Sequence, residues 1–357
     1  WLLCINITTF RTMRRVKVNS SAGKSVVITG GQLEDLPSLL PSSRLFIITD
    51  TNVRALYGDS FPPAEVLTIH PGEESKTLLV AGDLCNKLLA AGADRSSFIL
   101  GFGGGVVCDI TGLVASVYMR GIRHAFVSTT LLSQVDASIG GKTGVNLGNY
   151  KNMIGTFKQP EFVLCDHTLL STLPDNEMIS GLGELLKHAV IADRELFFDI
   201  SASLSAIFDR KPESLENLIY RAVKIKAAIV RRDPLENGPR RVLNFGHTFG
   251  HVLETTYNIP HGIAVMEGML IASELSVWKG DLAHTEYRLL KSTLESAGVM
   301  NVHDLPEQII RLITRDKKGE AEAVNMVLLQ SIGKAVVRKM QINELESFTG
   351  YYMQRKG

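Results

Sequence analysis

With only four cysteines in 357 residues and no CxxC among them, the chain lacks both a disulfide frame and a thiolate metal knuckle. Cys4, Cys85, Cys108 and Cys165 lie far apart and read as reduced thiols of a cytoplasmic protein. No apolar run reaches the roughly 18 to 20 residues that a membrane-spanning helix needs, so no membrane partner is expected. A basic stretch before the short apolar start is also missing, which argues against a signal peptide. Excess charge of one sign is absent too. Lys and Arg number 38 against 37 Asp and Glu, a formal net charge of +1. That balance excludes a general nucleic-acid binder, and any anion has to be held by a local cluster. Internal repeats and low-complexity segments are absent.

What is present is an ordinary globular composition, 45% hydrophobic and 21% charged, on a chain long enough for two cores. The start, "WLLCINITTFRTMRRVKVN", fits the rest poorly, so residues 1–12 read as an added extension and Met13 as the start. Short β-rich runs follow at 26–30, 44–50, 65–71, 97–103, 124–130 and 161–166, several of them continuously apolar, as in strands covered on both faces. Helical patterns at 77–92 and 106–121 lie between them. This alternation predicts an α/β, Rossmann-like domain over 13–168 with a mostly parallel sheet. Beyond 168 helical stretches dominate, at 181–192, 195–208, 214–232, 244–257, 263–279 and 283–297, with a small hairpin from "NMVLLQ" and "KAVVRK". Residues 169–357 therefore read as a mostly α-helical second domain.

Three segments carry chemistry in the first half. "ILGFGGGVVCDITG" (99–112) joins an apolar strand to a helix through consecutive glycines, which lets backbone N–H groups approach a pyrophosphate at the helix N-terminus. Val106 stands where a GxGxxG fingerprint needs its third glycine, so that fingerprint does not apply, and a tight turn without ligand is the plain alternative. Asp50, ending "FIITD", suits a ribose hydroxyl or simply a helix cap. The polar, glycine-rich "STTLLSQVDASIGGKTGVNLGNYKNMIG" (128–155) reads as a long functional loop, with Asp136, Lys142, Asn146, Lys151 and Asn152 close together; a solvated loop is the plain alternative.

The second half is rich in histidine. "GLGELLKHAVIAD" places Glu184, Lys187 and His188 on one helix face, and "LNFGHTFGH" places His247 and His251 four apart, with His261 following in "PHG". No glutamate lies between His247 and His251, so the zinc-protease form of this spacing fails. Glu184 with His247 and His261 would make a His₂Glu set with an open position. Spacing alone leaves the ligands ambiguous, because Glu184/His188 and His247/His251 are both i, i+4 pairs. "KAAIVRRDPLENGPRRVLNFGH" brings Lys226, Glu236, Arg240 and Asn244 toward the same histidines, and "TRDKKGE" adds Lys317 and Lys318. Such lysines are usually solvated surface residues.

Taken in order, "DTNV", "GEESK", "GGGVVCDITG", "YMRG", "STTLLSQVDASIGGKTGVN", "KNMIG", "GELLKH", "LNFGHTFGH", "PHG" and "DKK" resemble the 3-dehydroquinate synthase family of the shikimate pathway, from about Arg14 to Phe348. The resemblance implies an NAD-binding domain, a helical metal- and substrate-binding domain, a homodimer, NAD, and one divalent metal, usually zinc, with cobalt as the alternative. Glu184, His247 and His261 are then the metal ligands, His251 moves protons at the substrate hydroxyl, and His188 packs. Asp50, Asn52, Glu73, Lys76, Gly104, Gly105, Val106, Asp109, Thr129, Thr130, Leu132 and Thr172 would line the NAD site, with Lys142, Lys151 and Asn152 at its border. Lys142, Asn152 and the Lys317/Lys318 pair would hold the substrate phosphate, joined by Arg120 from the dimer partner. Lys226, Arg240 and Asn244 would take the carboxylate, and Asp136, Lys151, Lys187 and Glu236 would complete the polar shell. Many members carry glutamate after "HG", where this chain has Ile263.

The implied reaction converts 3-deoxy-D-arabino-heptulosonate 7-phosphate to 3-dehydroquinate and phosphate. It proceeds by transient oxidation, phosphate β-elimination, re-reduction, ring opening and aldol closure. Cyclases making 2-deoxy-scyllo-inosose or a valiolone are the nearest rivals, and their substrates lack the carboxylate. A polyol dehydrogenase would release NADH, and a non-catalytic NAD- or metabolite-binding protein is the rival from another class.

Overall fold

A computed structural model describes residues 13–21, 23–148, 150–300, 302–316 and 323–356. The extension read over 1–12 and the expected phosphate ligands Lys317 and Lys318 lie outside the described residues.

β1 (Arg14–Ser20) pairs antiparallel with β2 (Gly23–Thr29). Strand and helix then alternate through α1 (Leu36–Leu39), β3 (Leu45–Asp50), α2 (Thr51–Tyr57), β4 (Glu65–Ile69), α3 (Leu78–Ala90), β5 (Phe98–Gly103), α4 (Gly105–Val117) and β6 (Arg123–Ser128). A hairpin of β7 (Lys142–Leu147) and β8 (Tyr150–Phe157) precedes β9 (Phe162–Cys165). The main sheet has the order β1-β2-β9-β6-β5-β3-β4, parallel except at β1. Its apolar runs have the expected cause. Phe46 and Ile48 of β3 enter one core cluster and Ile47 the other, so both faces are covered. The chain reverses direction across the sheet between β3 and β5. In an open α/β sheet such a reversal leaves a crevice at the carboxyl ends of the strands, where Asp50 and Gly103 lie.

The helical half runs α5 (Asp175–Ala192), α6 (Arg194–Ala202), α7 (Leu204–Phe208), α8 (Pro212–Arg232), α9 (His247–Tyr257), α10 (His261–Trp278), α11 (His284–Ser296) and α12 (Ile309–Asp316). The hairpin of β10 (Ala323–Ser331) and β11 (Lys334–Gln341) and then α13 (Ile342–Lys356) follow. α8 is amphipathic: Leu215, Leu218, Ile219, Ala222, Val223 and Val230 recur on its buried face. α10 is buried almost all round and forms the centre of this half. It comes into backbone contact with both neighbours. A Cβ on Gly262 would lie 2.3 Å from Ser180 Cα of α5, and one on Gly268 would lie 2.0 Å from the Gly246 carbonyl oxygen before α9. Only glycine permits that approach.

Two expectations are corrected. The helix read over 195–208 is broken at Ser203, which adopts φ −105, ψ 6 and donates its N–H to Ile200 in a tight turn. The long loop read over 128–155 instead contains regular structure: Ser133–Ala137 form a π-turn and β7–β8 a hairpin. Glycines at 140, 141, 144 and 155 hid the strand alternation there. No helix among the described residues is long and apolar enough to cross a membrane.

Candidate active site

A cleft of about 2290 Å³ opens between the strand ends and the helical half. Its sheet wall is built where β3, β5 and β6 stop. Asp50 caps α2, accepting from Val53 N at 2.9 Å, and also faces the cleft, so the cap and the ligand-facing roles coexist. Gly104, Gly105 and Val106 begin α4 on the same wall, and a Cβ on Gly104 would meet Thr130 Cγ2 at 2.9 Å. Asn52, Thr129, Thr130 and Leu132 line the space beside them, as does Thr172, whose Oγ1 lies 2.5 Å from the Tyr57 hydroxyl.

A buried lysine ties this wall to the hairpin. Lys76 Nζ donates to Asp109 Oδ2 at 2.8 Å and to Asn152 Oδ1 at 2.6 Å, and lies 3.6 Å from Glu73 Oε1. Burial would lower its pKa, but Asp109 and Glu73 outweigh burial and raise it, so the ammonium stays charged. Asn146 donates to Glu73 Oε1 and accepts from Asn152 N, both at 2.8 Å. That fixes Asn152 at φ 55.

The helical wall carries side chains from buried helix faces. The π-turn aims Asp136 at α5 and α8. Lys226 Nζ donates to Asp136 Oδ1 at 2.7 Å and to its carbonyl oxygen at 2.6 Å, and Lys187 Nζ lies 4.0 Å away. His188, read as packing, is fully buried, and its Nε2 lies 3.2 Å from the same Oδ1. Burial works to raise the Asp136 carboxyl, yet Lys226 and Lys187 hold it well below the usual carboxylate range. Burial brings Lys226 down to about 8 despite that partner. Nearby, Glu236 at φ 61 accepts from Asn244 Nδ2 at 2.5 Å and contacts Lys142. Arg240 is anchored from behind by the Pro234 carbonyl at 2.6 Å and the Gly140 carbonyl at 3.3 Å.

At the floor, Glu184 Oε1 lies 3.4 Å from Nε2 of both His247 and His261, while Oε2 contacts Lys187. Among the described residues three groups bring ligand atoms within 4.8 Å of one another: Glu184/His247/His261, His251/Glu254/His261 and Asp136/Glu184/His188. Their existing bonds separate them. Asp136 is taken by Lys226, and Glu254 by Lys151 at 2.6 Å. Glu184 Oε1 is buried with no donor in hydrogen-bonding geometry. Burial and Lys187 depress His247, whereas Glu184 and Glu254 overcome burial to push His261 up to about 9. Two carboxylates that keep the imidazole between them protonated form a site whose charge favours a cation, so these residues fit a divalent metal.

His251 faces the cleft with its ring 5.1 Å from that of His247. Arg120 does not line the cleft. It sits exposed beyond α4 at φ 66, after Met119 at φ 47. The sequence reading missed Glu254. The signal was available, since it follows His247 by two helical turns on one face.

Residues 66–180 match the family described as 3-dehydroquinate synthase N-terminal, and residues 181–319 that described as 3-dehydroquinate synthase C-terminal. The 3-dehydroquinate synthase of Alkaliphilus metalliredigens (strain QYMF) is 38% identical over 323 residues, which are 87% of this chain and 91% of that protein. Among solved structures, the 2-epi-5-epi-valiolone synthase ValA from Streptomyces hygroscopicus subsp. jinggangensis 5008, with NAD+ and Zn2+ bound, is 27% identical at a TM-score of 0.84, covering 98% of this chain and 100% of that one. A 2-deoxy-scyllo-inosose synthase complexed with carbaglucose-6-phosphate, NAD+ and Co2+ shares the fold, with a TM-score of 0.84 and 24% identity over 95% of this chain and 99% of that one.

Proposed function

Because the chain belongs to the 3-dehydroquinate synthase family, we propose that it converts 3-deoxy-D-arabino-heptulosonate 7-phosphate to 3-dehydroquinate and phosphate, as a carbon–oxygen lyase. The observation that carries this reading is the shared cleft. Strand-end glycines, a cation-favouring His₂Glu corner and a cluster of buried cations face one space.

Glu184, His247 and His261 would hold the divalent metal, zinc or cobalt, with NAD along the wall of Asp50 and Gly104; the two supply Lewis acidity at a substrate hydroxyl and a reversible hydride acceptor. The valiolone synthase structure, with NAD+ and Zn2+, supports that pairing. Arg240, Lys226 and Asn244 take the carboxylate, and their hydrogen bonds to Pro234, Asp136 and Glu236 hold them in place beforehand. Lys142 and Asn152 take the phosphate with Lys317 and Lys318. His251 moves the proton of the substrate hydroxyl beside the metal corner. Asp136, Lys187, Lys151 and Glu236 keep the surrounding charges balanced.

Arg120 reaches a second copy's cleft in a homodimer; its exposed position away from its own cleft suits that role. We place the NAD-binding unit at 13–168 and the metal- and substrate-binding unit at 169–357. The free thiols of Cys85, Cys108 and Cys165 suit the cytoplasm.

The rival cyclases share the fold, but the anionic grip of Arg240 and Lys226 favours a carboxylate-bearing substrate. Assaying phosphate release from the heptulosonate phosphate and from glucose 6-phosphate separates them. Turnover of the first alone is expected, and turnover of glucose 6-phosphate alone would make this an inosose synthase.

A further inference from the structure

One carboxylate of the metal corner has no part in the reaction described above. Glu254, on α9, directs its two oxygens to opposite sides of the cleft. Oε2 lies 3.1 Å from His261 Nδ1, and Oε1 accepts from Lys151 Nζ of β8 at 2.6 Å. The side chain is only 11% exposed.

The consequence lies in the imidazole. With Nδ1–H donated to a carboxylate, the proton the ring gives up on binding a metal is the one on Nε2, the atom 3.4 Å from Glu184 Oε1. Nothing at the start of α10 does this instead. Ile263, two residues beyond His261 on α10, packs against the apolar core and offers no acceptor.

We propose that Glu254 is a positioning residue: it fixes the tautomer and ring angle of His261 for the metal and, through Lys151, ties the β7–β8 hairpin to the same histidine. The proposal rests on Glu184, His247 and His261 being the metal ligands. It excludes the other arrangement the distances allow, in which Glu254 itself is a ligand with His251 and His261.

The test uses the full chain, stripped of metal, with zinc affinity read by competition against a chromophoric chelator. Glu254→Ala should weaken zinc about 10- to 100-fold, and Glu254→Gln should weaken it less, because the amide oxygen still accepts from Nδ1–H. Zinc affinity unchanged in Glu254→Ala would overturn the proposal. A loss as complete as that in His247→Ala would also overturn it, by making Glu254 a ligand. If Glu254→Ala does not fold, Glu254→Gln decides: weakened binding supports the proposal and unchanged binding overturns it. Retention of zinc by His247→Ala would instead sink the metal assignment, and the proposal with it. Amide hydrogen exchange reads the second role: the hairpin amides should exchange faster in Glu254→Gln, and unchanged protection would remove the tie to Lys151.

Discussion

On the sheet side of the cleft, Asp50 and Gly104 meet the ligand space where strands end, and much of what they present is backbone. On the helical side, Glu184, Lys187, Lys226 and His247 project from helices and are buried or nearly so, their charges balanced by one another and by Asp136. The two walls should therefore fail differently. The sheet wall is sensitive to added volume and indifferent to many side-chain changes. The helical wall is sensitive to lost charge, because each missing partner strands another charge away from water.

The largest effects belong to the helical wall. His247→Ala should cut metal affinity about a thousandfold or more, measured by chelator competition, since it removes one of three protein ligands. His251→Ala, one helical turn away, should keep the metal and lose about 10²- to 10⁴-fold in kcat. Metal loss from the second variant would reverse these two roles.

Asp136→Asn leaves Lys226 buried without its counter-charge and should cost about 3 to 5 kcal/mol in urea unfolding. A cost below about 1 kcal/mol, the range of an exposed pair, would place Asp136 in effect at the surface. Gly262→Ala introduces a Cβ 2.3 Å from Ser180 Cα, so α10 must move off α5. About 1 to 3 kcal/mol of stability should go with it, and metal affinity should fall as His261 separates from Glu184. The smallest change belongs to the sheet wall. Gly104→Ala should weaken NAD binding by roughly tenfold, read by calorimetry, and cost no more than about 1 kcal/mol in urea unfolding, since its Cβ meets only the end of the Thr130 side chain, at 2.9 Å. A large loss of stability there would erase the contrast between the walls.

How much of this was legible in the sequence follows the same division. The parallel strands were readable because both faces are covered, which writes continuous apolar runs into β3 and β5. β1 is less legible, since it lies at the sheet edge and, apart from the buried Val18, its residues are half-buried or exposed. The β7–β8 hairpin was masked by the glycines that shape it. In the helical half, spacing placed Glu184, His188, His247 and His251 on helix faces but could not pair them. Pairing depends on the crossing of α5, α9 and α10, which their glycine contacts set. Lys226 was readable in retrospect as a lysine inside the apolar stripe of α8. Glu254 shares its helix with His247 and His251, but its partners, Lys151 and His261, come from elsewhere in the chain.

If the two walls act together as proposed, the reaction borrows a hydride and returns it within one turnover. Incubation with substoichiometric NAD+, zinc and the heptulosonate phosphate, followed at once for phosphate, dehydroquinate and absorbance of NADH, tests it most directly. Many equivalents of phosphate and dehydroquinate per NAD+, with no net NADH, is the predicted result. NADH accumulating in step with substrate consumption would contradict it and make the protein a dehydrogenase.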